Sequence, residues 1–182
     1  MAKAYEFLAD GFEDIEALGP VDVLRRGGVE VVTVSLGDTL VVTSAHGVEV
    51  KADVLFGDVD FENAVLLLIP GGMPGAQNID NHEGVRRALA AQHAEGRLIG
   101  AICAGPMVLG HLGILEGKRA TCYPGFEKEL MGATYTAAPF TVDGNIVTGK
   151  GPGATLAYAY ALLEQLRGER VARTVREGMM YE

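Results

Sequence analysis

Nine residues, Leu98-Ile99-Gly100-Ala101-Ile102-Cys103-Ala104-Gly105-Pro106, constrain the fold more than any other stretch of the chain. An apolar run of strand length passes straight into a cysteine. Small residues follow, and an apolar helical stretch, Met107-Val108-Leu109, comes next. Small residues two positions before the cysteine (Ala101) and two after it (Gly105) fit a nucleophile elbow, where a strand-to-helix turn crowds backbone and side chains together. Such a turn sets Cys103 at a helix N-terminus, where unpaired N–H groups and the helix dipole favour a thiolate. The same residues also fit a buried structural cysteine, because free cysteine often packs as a small hydrophobe.

Strand and helix patterns alternate around this stretch. Tyr5 to Ala9 and Val29 to Ser35 read as strands, and Ala64 to Ile69 is a continuous apolar run of the kind buried on both faces of a sheet. Phe12 to Arg26 places acids first, arginines last and Gly27-Gly28 after them, the order a helix dipole favours, with Pro20 predicting a kink or break. Leu40 to Thr43 and Val48 to Lys51 predict two short strands around Ala45-His46-Gly47. His82 to Glu95 predicts an amphipathic helix with Val85, Leu89 and Ala90 on one side. Lys118 to Cys122 reads as a strand and Phe126 to Met131 as helical. Asp143-Gly144-Asn145 marks a hairpin between Phe140–Val142 and Ile146–Thr148. Gly151-Pro152-Gly153 leads into a helix from Ala154 to Leu166, and a last helix covers about Glu169 to Glu177. The pattern implies an α/β fold with a mostly parallel sheet covered on both faces, in one domain over residues 1–182. Ligands bind such sheets at the carboxyl ends of the strands. Asp10-Gly11-Phe12, Pro70-Gly71-Gly72 and the Cys103 elbow should gather there.

Composition narrows the function classes. The formal charge of -9 repels phosphate backbones, so no nucleic-acid partner is expected. Arg25-Arg26 and Arg86-Arg87 are too short to reverse that and read as solvated helix faces. The two cysteines, Cys103 and Cys122, form no CxxC pair, and the four histidines are scattered, so neither a disulfide framework nor a metal site is expected. Reduced, intracellular conditions fit best. Leu98 to Leu115 carries no Asp, Glu, Lys or Arg, but its glycines, Pro106 and His111 suit a buried strand and helix better than a membrane span. No GxGxxG follows the first strand and no GxxxxGK[ST] occurs, so no nucleotide cofactor is expected.

A nucleophilic thiolate needs a stabiliser. No histidine falls in the converging turns, Ala104 follows the cysteine, and His111 lies eight residues on, where packing or capping explains it better. The first turn offers Glu13, Asp14 and Glu16 instead. Acids at a helix start serve the dipole and the cap, which accounts for Glu13 and Asp14. Glu16 either does the same or turns into the cleft to meet Cys103. Buried and protonated, it would donate to a thiolate; deprotonated, it would serve as a general base. Gly71 and Gly72, with the N–H of Ala104, would supply an oxyanion hole.

Asp10-Gly11-Phe12-Glu13-Asp14-Ile15-Glu16, Pro70-Gly71-Gly72 with Gly75-Ala76-Gln77-Asn78, Ala101-Ile102-Cys103-Ala104-Gly105-Pro106 and Gly151-Pro152-Gly153 occur in one order. Together they resemble the ThiJ/PfpI superfamily, in the branch of the Parkinsonism-associated deglycase. The resemblance implies a three-layer, flavodoxin-like sandwich related to class I glutamine amidotransferases, and a cytoplasmic homodimer with contacts from Ile15 to Arg26 and the His46 loop nearby. It places the reactive cysteine on Cys103, its partner on Glu16 and an oxyanion pocket on Gly72 and Ala104; Gly71, Tyr123, Gly151 and Pro152 are further expected oxyanion or substrate contacts. It implies a cofactor-free glyoxalase or deglycase acting on small 2-oxoaldehydes or glycated adducts. The alternatives are a redox-sensing or chaperone-like stress protein and, less well supported, a peptidase. Two positions depart from the pattern. Ala104 replaces the histidine that follows the cysteine in protease-like members, and Tyr123 stands where the branch's best-known member has a histidine. Cys122 beside it suggests a second thiol near the pocket.

Overall fold

Uniformly apolar strands require cover on both faces, and the computed structural model, which describes residues 3–181, supplies it. The chain runs β1 (Ala4–Leu8), α1 (Asp14–Arg26), β2 (Val31–Ser35), β3 (Val41–Thr43), β4 (Glu49–Lys51) and β5 (Val54–Leu55). It continues with β6 (Leu66–Ile69), α2 (Gly75–Asp80), α3 (Glu83–Ala94), β7 (Leu98–Ile102) and α4 (Pro106–His111). After β8 (Arg119–Ala120) and β9 (Thr134–Tyr135) come β10 (Phe140–Asp143), β11 (Ile146–Gly149), α5 (Thr155–Arg167) and α6 (Glu169–Gly178). Seven strands form one sheet in the order β10-β11-β7-β6-β1-β2-β5. All neighbours are parallel except the β10–β11 hairpin at one edge. Two small ribbons, β3–β4 and β8–β9, lie outside it.

Side chains alternate across the sheet, as the strand period of two demands. Tyr5, Phe7, Leu67 and Ile69 pack on one face with Ile79, Val85, Leu89 and Val108 from α2, α3 and α4. Ala4, Leu66 and Leu68 pack on the other with Val23 and Leu24 of α1, Tyr158 and Leu162 of α5, and Ala172 and Val175 of α6. The result is the expected three-layer α/β sandwich of flavodoxin-like, glutamine amidotransferase-like type. From β1 the chain builds outward to β2 and β5, then returns to add β6, β7 and β11 on the other side. That reversal between β1 and β6 opens a crevice at their carboxyl ends, where ligands of open α/β sheets bind.

Several local expectations change. Helix α1 runs unbroken through Pro20, which is buried against the core. In α3 the buried positions are Val85, Leu89 and Gln92, with Ala88 packed beside them. Ala90 is exposed, because one residue beyond Leu89 turns it about 100° away. The Phe126–Met131 segment contains only a 3₁₀ turn, Glu127–Glu129, and the Lys118–Cys122 strand shrinks to β8. Helix α2 and the two-residue β5 carry too little periodicity to be expected from the sequence. No helix among the described residues is long and apolar enough to cross a membrane.

Candidate active site

Cys103 directly follows β7 with φ of 63°, a left-handed backbone that a side chain rarely adopts. Backbone hydrogen bonds to β11 and to the loop at Tyr123 hold it there. Its N–H donates to the Gly149 carbonyl at 2.9 Å, and its carbonyl accepts the Tyr123 N–H at 3.0 Å. Strain of this kind costs roughly 1–3 kcal/mol and persists only where the surroundings over-determine it. The small flanking residues have a direct reason. A Cβ added at Gly105 would lie 2.7 Å from the Ile69 carbonyl oxygen and 2.9 Å from that of Ile102. Pro106 then opens α4, where its missing N–H costs nothing.

Glu16 reaches Cys103 because of how α1 begins. The Glu13 carboxylate caps the helix, accepting the Glu16 N–H at 2.8 Å. The Glu16 side chain turns inward and is fully buried. Its Oε2 accepts the Gly71 N–H at 3.0 Å. A side chain at Gly71 would collide with that oxygen and lie 2.6 Å from Cys103 Cβ and 2.9 Å from Sγ. Glycine there is what lets carboxyl and thiol approach each other. Gly72, at φ of 85°, turns the chain into α2, and its carbonyl accepts the Ala76 N–H at 2.9 Å.

The pair is electrostatically coupled. Burial pushes Glu16 from 4.5 up to about 7, while its hydrogen bonds with Cys103 and the Gly71 N–H pull it back. Burial, and after it the Glu16 carboxylate, hold the Cys103 thiol well above 9.0; the N–H groups of Gly72 and Ala104 act in the opposite sense. The resting sulfur therefore keeps its proton when Glu16 is ionised. A thiolate forms at the cost of a neutral Glu16, and the two groups titrate as a unit. Burial outweighs the helix-end effect from which a thiolate is expected. Gly72 and Ala104 direct N–H groups at the sulfur, as an oxyanion hole would, whereas the Gly71 N–H is committed to Glu16.

Tyr123, Gly151 and Pro152 line an apolar cavity of about 650 Å³ with Pro124, Pro139 and Phe140. Gly151 links it to the pair, since a Cβ there would lie 3.1 Å from the Tyr123 ring and 4.0 Å from Glu16 Oε1. Cys122 does not join the site. It is fully buried in the core beneath α2, α3 and α4, whereas Cys103 packs with the opposite layer. Burial, aided by Glu127, pushes its thiol up to about 11. Three of the four histidines are engaged elsewhere. His111 bridges Asp80 at 2.7 Å and Glu129 at 2.8 Å, His46 meets Asp14 at 2.6 Å, and His82 caps α3. Among the described residues, one group of potential metal ligands comes together, Glu13, Asp14 and His46. Its oxygens already serve the α1 cap, Ser44 and His46. Glu6, Thr155 and Tyr158 belong to no motif, yet all three place unpartnered polar atoms in the interior. The one signal for Glu6 is an acid in the middle of an apolar strand.

Residues 2–165 match the DJ-1/PfpI family. The chain is 40% identical over 167 residues to the Arabidopsis thaliana protein DJ-1 homolog B, covering 91% of this chain and 38% of that one. It thus spans less than half the length of that relative, and 44% of a second Arabidopsis homologue. A deglycase of Pyrococcus horikoshii is 32% identical over 167 residues, 91% of this chain and 99% of that protein. The oxidised DJ-1 of Toxoplasma gondii superposes with a TM-score of 0.95 at 36% identity, covering 100% of this chain and 99% of that one. With an elbow cysteine, a buried glutamate partner and a family match along most of its length, this chain belongs to the DJ-1/PfpI family.

Proposed function

We propose that the chain is a cofactor-free enzyme of glyoxalase or deglycase type, acting on small 2-oxoaldehydes or early glycation adducts. The observation that carries this reading is the Cys103–Glu16 pair, a thiol and a carboxyl brought together over Gly71 with one proton to share. On methylglyoxal, Glu16 takes the thiol proton, the thiolate adds to the aldehyde carbon, and the new oxyanion, held by the N–H groups of Gly72 and Ala104, recovers that proton from Glu16 to give a hemithioacetal. The Glu16 carboxylate then removes the C1 proton and returns it to C2, while the C1 hydroxyl proton passes to the C2 oxygen, leaving a lactoyl thioester. Water hydrolyses the thioester, releasing lactate and restoring the thiol. A Glu16 value near 7 suits a group that must both accept and donate that proton. The relatives named deglycases support the same substrate class. Both Cys103→Ala and Glu16→Gln should lower methylglyoxal turnover by about 10²-fold or more; unchanged rates in both variants would overturn the proposal.

The similarity to an oxidised DJ-1 favours a second reading, in which Cys103 is oxidised to a sulfinate that a neutral Glu16 stabilises by donating to it. Limited peroxide should then add two oxygens at Cys103 by intact mass, and a Cys103 that resists peroxide would exclude this reading. In either role the chain is proposed to work as a cytoplasmic homodimer through α1, where Ile15 and Leu18 are apolar and exposed.

A further inference from the structure

Among the described residues, eight buried side-chain nitrogen or oxygen atoms have no hydrogen-bond partner, and five of these belong to Glu16 and to three other residues, Glu6, Thr155 and Tyr158. They are both carboxyl oxygens of Glu6, Oε1 of Glu16, and the hydroxyls of Thr155 and Tyr158. The fold brings them together. Glu6 of β1 is in register with Leu68 of β6, which is in register with Gly100 of β7, so the three form one row across the sheet. Their face is the one covered by α1 and α5. Gly100 has no side chain, and the Tyr158 hydroxyl occupies the space where a Cβ would collide with it. Thr155 lies one turn before Tyr158 on the same side of α5. Its methyl packs against Gly19, one turn after Glu16 on α1, where an added Cβ would approach it to 2.7 Å.

The chemistry of the cluster is one-sided. Burial, and after it the Glu16 charge, push Glu6 well above 4.5, favouring the neutral acid with one O–H to donate. Burial, Glu6 and Glu16 likewise keep Tyr158 protonated. The titratable groups facing the cluster are Glu16 and Glu13 from α1, Cys103 from the elbow and Tyr158 from α5. Glu6, Thr155 and Tyr158 therefore offer three O–H donors. Oε1 of Glu16 lacks a donor, whereas Oε2 already accepts the Gly71 N–H. Buried polar groups without protein partners are ordinarily satisfied by ordered water with two to four polar contacts.

We infer that Glu6, Thr155 and Tyr158 form a second, buried site behind Glu16 that binds ordered water and directs hydrogen-bond donors onto Glu16 Oε1, so that the carboxyl proton is held on the oxygen facing Cys103. Glu6 and Tyr158 are positioning residues in this arrangement and touch no substrate. No net proton transfer is required of them, and Glu6 stays neutral throughout. The inference rests on the Cys103–Glu16 pair of the proposed function, but its readouts do not require turnover.

The test measures the rate of Cys103 alkylation by iodoacetamide against pH in the full chain, taking as the Glu16 signal the inflection that Glu16→Gln abolishes. A donor on Oε1 stabilises the carboxylate, so Tyr158→Phe and Glu6→Val should move that inflection upward by about one pH unit. Glu6→Gln, which keeps a donor and carries no charge, should restore the position lost in Glu6→Val. Infrared spectra at pH 8 should show a protonated carboxyl band that survives Glu16→Gln and disappears in Glu6→Gln. A merely structural role for Glu6 and Tyr158 would lower thermal stability and leave the inflection in place. An inflection unmoved in the near-isosteric Tyr158→Phe, or no band assignable to Glu6, would overturn the inference. A wild-type chain that shows these signals but does not turn over methylglyoxal would instead defeat the glyoxalase reading alone.

Discussion

Glu16 shows how one side chain is made costly so that it can be useful. Its carboxyl is raised from 4.5 to about 7, so the folded chain binds more protons at this group than the unfolded chain does between those values. Stability contributed here therefore falls as pH rises through that window. The full rise is worth roughly 3 kcal/mol above pH 7. Glu16→Gln should accordingly gain stability over the wild type as pH increases, by up to about 3 kcal/mol at pH 8, with the difference fading below pH 4.5. Urea unfolding at the two pH values checks this; an advantage that is flat with pH would contradict the buried, raised carboxyl. Three acids stand at the start of α1, and all three suit a helix N-terminus. Residue type alone does not say which of them turns inward. Glu13 becomes the cap because its carboxylate meets the Glu16 N–H, and Asp14 meets Ser44 and His46. Glu16 is left to face the ends of β6 and β7.

At the scale of elements, the elbow is a junction of three chain segments rather than a local turn. Gly105 fits between the carbonyls that end β6 and β7, with Ile69, Ile102 and Pro70 oxygens all within 3.1 Å of where its Cβ would be. Backbone carbonyls of paired strands yield little, so Gly105→Ala should destabilise the chain by about 1–3 kcal/mol and slow Cys103 alkylation as the turn shifts. Unfolding in urea, with alkylation measured on the folded protein, reads both effects. Strand β7 was legible to the residue, Leu98–Ile102, because an unbroken apolar run ends at a cysteine flanked by small residues. The hairpin of β10 and β11 was legible from Asp143-Gly144-Asn145. Helix α2 was not. Its six residues hold no amphipathic repeat, and its start is set by Gly72 and Gly11 packing close together across the crevice. The separation of Cys122 from Cys103 was equally hidden. Neither cysteine lies within a strand, so no alternation rule places them, and only the packed layers show that they belong to different apolar clusters.

The molecule as a whole presents a mixed exterior to one side of α1. Ile15 is 56% exposed and Leu18 38%, on a helix whose opposite face is buried against α5. Val41 and Val48, on and beside the β3–β4 ribbon, are also about half exposed. A second copy of the chain would cover such residues, as the proposed dimer requires. Sedimentation should find a dimer for the wild type, and Leu18→Glu should shift it toward monomer by placing a charge in the contact. A wild-type monomer at every concentration would remove the dimer from the proposal.

The sequence by itself determined the alternating α/β pattern, the elbow strand and its cysteine, the three glycine-rich turns, and the family resemblance that joined them. These follow from local chemistry, from apolar runs, turn residues and spacing along the chain. Only the tertiary structure decided how Glu13 and Asp14 are occupied while Glu16 turns inward, that the Gly71 N–H serves Glu16 while Gly72 and Ala104 face the sulfur, and that Glu6 and Tyr158 are buried with unpartnered polar atoms. Those facts depend on register between strands that are distant in sequence, on which face of a helix is buried, and on how far burial shifts a proton. None of these is written in any single segment.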